Sequence, residues 1–70
     1  MVYVSYIIEE VELSIIKISS SLAKSRKALA EYVLRYDNAL PDAVKNLRVD
    51  GQYVDENGNV VGIIKQEIVD

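Results

Sequence analysis

Four groups of side chains have residue types and spacings that could do chemistry. The first is a set of carboxylates, Glu9, Glu10, Glu12 and Glu31. On a helix, Glu9 and Glu12 at i, i+3 share a face, a geometry that two-metal helix bundles complete with a histidine. The second is the string Asp55-x-Asn57-x-Asn59, which opens like a calcium loop. Such a loop also needs Gly at its sixth position and a bidentate Glu at its twelfth, and Val60 and Gln66 stand there instead. The string therefore reads as an Asp/Asn-rich hairpin turn. The third group is basic: Lys24, Arg26 and Lys27, with Arg35 further along and Ser19, Ser20, Ser21 and Ser25 close by. Ammonium, guanidinium and hydroxyl groups are those that hold phosphates or carboxylates. The fourth is the five tyrosines, Tyr3, Tyr6, Tyr32, Tyr36 and Tyr53, suited to recognition surfaces and to core packing alike.

Composition narrows these options. The 70 residues contain no Cys and no His. The chain thus has no disulfide framework, no thiolate, and neither the usual general base nor the commonest metal ligand. Surface acids near a helix start explain the carboxylates without chemistry, so no catalytic residue, metal site or cofactor is expected, and the chain is expected not to be an enzyme. The basic group sits in a chain of net charge −3 with no aromatic interleaved, whereas nucleic-acid binders carry a clear basic footprint. Nucleic acid is disfavoured, and Lys24, Arg26, Lys27 and Arg35 are expected to form a partner-binding face. The start of the chain has no Lys or Arg before Glu9 and does not read as a secretory signal. No apolar run approaches the ~20 residues that cross a bilayer. A soluble, cytoplasmic protein with no membrane partner is expected.

Charge is laid out in blocks: three acids over 1–16, seven bases against three acids over 17–48, and one base against five acids over 49–70. An acidic–basic–acidic order favours contacts between unlike blocks.

The elements that must position these groups are read from periodicity. Alternate steps of four and three from Val4 reach Ile8, Val11, Ile15, Ile18, Leu22, Ser25, Leu29, Tyr32 and Tyr36, and all but Ser25 are apolar. This heptad predicts a long helix over about 4–36 with a coiled-coil seam. The oligomer interface expected from it comprises Val4, Ile8, Val11, Ile15, Ile18, Leu22, Leu29, Tyr32 and Tyr36. The competing sign is strand-like composition, with eight Val or Ile and two Tyr in residues 1–18. A strand from 2 to 18 is too long, however, and Glu9-Glu10 is a poor hairpin turn. In that alternative a helix begins near Ser19-Ser20-Ser21, giving a compact β-α-β-β domain.

Past Tyr36, Asp37 to Asp42 breaks the helix, because Pro41 pushes Leu40 out of helical geometry. A short helix is expected near 41–47, then a β-hairpin over about 52–65 turning at Glu56-Asn57-Gly58-Asn59. Gly62 inside its second strand signals a bulge or a close backbone approach.

These readings give one domain over 1–70: a helical oligomerisation segment at 4–36, a breaker and short helix at 37–47, and a hairpin at 48–70. A seam some 50 Å long cannot be covered by the remaining residues. The chain is therefore expected to form a homo-oligomer of three or more packed helices. A helical seam followed by a Gly/Asn-turned hairpin resembles fibrous and connector parts of virus particles, which implies a virion-associated or mobile-element assembly component. The function expected is a non-enzymatic, self-associating structural or adaptor protein with a further protein partner. The alternative is a small regulator or inhibitor that binds a protein or nucleic acid through the basic helix face.

Overall fold

β-Branched and aromatic residues lose side-chain freedom in a helix and pack well on a pleated surface. The N-terminal third is dominated by them, and it forms strands. In the computed structural model, which describes residues 1–9, 12–36, 42–55 and 57–68 (the side chains of Tyr36 and Asp42 excepted), β1 spans Val2–Glu9 and β2 spans Glu12–Ser19. Then follow α1 (Leu22–Tyr36), a single turn α2 (Asp42–Lys45), β3 (Gln52–Val54) and β4 (Val60–Glu67). The strands make one antiparallel sheet in the order β2-β1-β4-β3, with α1 against one face.

The long helix over 4–36 is thus corrected: its first half is a β-hairpin, and the described residues form no coiled coil. Two coincidences explain the misleading heptad. A step of four preserves the face of a strand as well as that of a helix, so Val4 and Ile8 lie on one side of β1. The step of three from Ile15 to Ile18 crosses a register shift. Tyr6 is opposite Ile15 and Ser5 is opposite Lys17, leaving Ile16 as an extra residue in β2. The turn objection failed too, since β1 and β2 pair down to Glu9 opposite Glu12. The resemblance to virus connectors rested on the helical seam and lapses with it.

Alternation sorts the side chains into two faces. Toward α1 point Tyr3, Ser5, Ile7 and Glu9 of β1 together with Gly62 and Ile64 of β4. Ile7, Ile64, Leu29, Val33, Val44, Leu47 and Tyr53 form the core. Ile16 and Val61, the extra residue at the second register shift, pack against it. Away from α1 point Val4, Tyr6 and Ile8, flanked by Ile18, Ile15 and Leu13 on β2 and by Ile63 on β4.

The expected seam is split accordingly. Val4, Ile8, Ile15 and Ile18 lie on the open face, while Leu29 is buried in the core and Leu22 and Tyr32 pack against it. Val11 and the side chain of Tyr36 lie outside the described residues.

Local chemistry sets the start of α1 and its seat on the sheet. The Ser21 hydroxyl accepts from the Lys24 amide at 3.3 Å, and the Ser21 carbonyl takes the first helical bond from the Ser25 amide. Ser21 is therefore the N-cap. Ser25, fully buried, donates to the Tyr3 carbonyl at 2.7 Å and fastens α1 to β1. Gly62 lets the helix approach the sheet: a Cβ there would stand 3.1 Å from Leu29 Cδ1 and 3.2 Å from the Tyr6 carbonyl oxygen.

Candidate functional site

The bulge that misleads the heptad also builds the most evident charged feature. Without the extra Ile16, strict alternation from Ile15 would place Lys17 on the open face. With it, Lys17 pairs with Ser5 and stands on the helix side. There it meets Lys24 and Lys27 of α1, and with Ala28 and Glu31 these residues line an open cleft of about 260 Å³. The exposed ammonium groups thus come from two elements, the edge strand and the first half of the helix.

The predicted basic face is only partly realised. Lys24 and Lys27 are in the cleft. Arg26 is not: its Nε donates to the Leu47 carbonyl at 2.7 Å, tying α1 to the segment after α2. Its role is structural, because residue 26 falls on the flank of the helix that faces this connection. Arg35 is exposed in the last turn of α1, beyond the cleft lining. Lys17 was not anticipated. The apolar spacing Leu13, Ile15, Ile18 in a β-branched run was the available signal, since a jump from steps of two to a step of three marks a bulge.

The carboxylates are dispersed differently from the helical reading. Glu9 and Glu12 oppose one another across the hairpin, and Glu9 Oε1 accepts from the Tyr32 hydroxyl at 3.2 Å. Glu31 joins the lysines, and Glu10 lies outside the described residues. Among the described residues no group of three or more acidic side chains is placed to hold a metal ion. The Asp55 carboxylate is engaged by its own turn. Its Oδ1 accepts from the Asn57 and Asn59 amides, both at 2.9 Å, and Gly58 supplies the positive φ of 82°. The turn reading of Asp55-x-Asn57-x-Asn59 therefore describes the geometry. Of the tyrosines, Tyr53 is buried, Tyr3 and Tyr32 flank the core, and Tyr6 lies on the open face.

No helix among the described residues is long and apolar enough to cross a membrane. No family model matches the chain, and neither curated proteins nor solved structures give a significant match.

Proposed function

We propose that the chain is a small, non-catalytic regulator or adaptor module that holds an acidic segment of a partner protein in the cleft formed by Lys17, Lys24 and Lys27. The observation that supports this reading is the convergence of the three lysines, brought together by a bulge and a capped helix rather than by sequence proximity. Glu31 on the cleft wall and the chain's net charge of −3 weigh against a polyanion as long as a nucleic acid. They leave a short acidic stretch as the better match. A cleft open to solvent gives exposed charge pairs, which set association rate and choice of partner more than tight affinity. The expected complex is therefore weak and sensitive to salt.

Fluorescence anisotropy with a labelled Glu/Asp-rich peptide at low ionic strength tests this. Reversing Lys17 and Lys24 together (Lys17→Glu, Lys24→Glu) is expected to weaken binding at least tenfold, about 1.4 kcal/mol. Lys45→Glu on α2 should leave it unchanged. Equal losses in both variants, or tighter binding of a single-stranded or duplex oligonucleotide than of the peptide, would refute the reading.

A further inference from the structure

We infer that two copies of this chain pair through the sheet face opposite α1, giving a four-layer stack with the helices outside and the two sheets within. This surface is distinct from the lysine cleft, and the inference stands independently of it. Among the described residues the sheet has a helix on one face only, yet both faces are apolar. Val4, in the middle of the open face, is 2 % exposed because its neighbours shield it. Along the β2 flank, however, Leu13, Ile15 and Ile18 are 48, 58 and 55 % exposed. An antiparallel sheet with one solvated face normally turns polar residues to water, and a contiguous apolar patch marks a contact surface.

Three observations identify the occupant. First, addition of a strand at the edges is hindered: β2 is interrupted at Ile16, and β3 has only three residues. The cover must lie over the face. Second, the charges on the described part of this face are Lys65, opposite Val4, and Glu67, opposite Val2. They cancel, so two copies meet here without the repulsion that a net charge of −3 would otherwise bring. A plus and a minus two residues apart on one strand are also self-complementary across a twofold axis. A lipid surface would call for a basic rim, and the lysine cluster is on the other side of the sheet. Third, β1, β2 and β4 have eight residues each and are about 26 Å long, the three-residue β3 is about 10 Å long, and neighbouring strands lie about 4.8 Å apart. The face thus offers on the order of 400 Å² in plan, before side-chain relief is added. That falls somewhat short of the ~800 Å² each partner gives in a standard interface, so the expected dimer dissociates in the micromolar range.

Sedimentation equilibrium from about 1 µM to about 1 mM should show a mass rising from the monomer's 7.9 kDa toward twice that value. Ile15→Asp and Ile18→Asp, at sites already half-exposed, should stay monomeric at every concentration with unchanged far-UV circular dichroism. Leu34→Asp, 56 % exposed on the outer side of α1, should still dimerise. Should either aspartate variant unfold, a nitroxide at Ile18→Cys gives an independent reading, because two sheets about 10 Å apart bring the labels within dipolar range. A wild-type monomer at 1 mM, a trimer or larger species, dimerisation of folded Ile15→Asp, dissociation by Leu34→Asp, or a spin pair out of range would each overturn the inference. So would a monomer that binds neutral vesicles through this face.

Discussion

Tyr6 projects from β1 onto the open face, and its hydroxyl donates to Glu67 Oε1 at 3.0 Å. Burial raises its pKa above the ordinary 10.0, and the hydrogen bond to Glu67 and that carboxylate's charge raise it further. The folded state therefore holds the phenolic proton more tightly than the unfolded chain does. The stability that this difference contributes is complete below pH 10, and it is lost as pH rises through the folded pKa. Urea unfolding between about pH 8 and 11 should show wild type losing stability more steeply than Tyr6→Phe at the alkaline end. Parallel curves would contradict the assignment. Ser25, in α1, is fully buried. As the one polar member of the heptad it looks like a flaw, but its hydroxyl reaches the Tyr3 carbonyl. Nothing in the spacing could show that bond, because its acceptor is 22 residues away and belongs to another element.

Between elements, the approach of α1 to the sheet depends on Gly62. Leu29 Cδ1 and the Tyr6 carbonyl oxygen occupy the space where side-chain atoms would go. Gly62→Val should therefore destabilise by about 1–3 kcal/mol through overpacking, measured as a shift in the urea midpoint at constant m-value. An unchanged midpoint would mean that the helix rides higher than described. This element was legible in part: Gly62 signalled a bulge or a close approach, Asn57-Gly58 located the β3–β4 turn, and Pro41 came after the end of α1. The N-terminal half was not legible as a helix or as a single strand. Steps of four satisfy both periods, and the inserted Ile16 converts a strand's two-residue phase into a heptad's three. The same insertion hid the cleft, since Lys17 joins Lys24 and Lys27 only after the phase changes. Composition, with its excess of β-branched residues, was the better guide than periodicity.

The described residues form two layers, and the molecule is 18 Å across its shortest axis. A chain of 70 residues with a single sheet–helix core has little stability in reserve. Burying the second apolar face in a dimer would add to it by mass action. The melting temperature is accordingly expected to rise with protein concentration in wild type and to stay flat in Ile15→Asp, read by scanning calorimetry at two concentrations a hundredfold apart; a concentration-independent wild-type melt would speak against coupled assembly. The first and last strands are neighbours at the centre of the sheet, antiparallel, with Val2 opposite Glu67. Both leave the sheet at the same end, so tension applied at residues 2 and 67 pulls across the β1–β4 ladder instead of along it. The hydrogen bonds are then loaded one after another, and the molecule opens like a zip, parting into two hairpins under a small force.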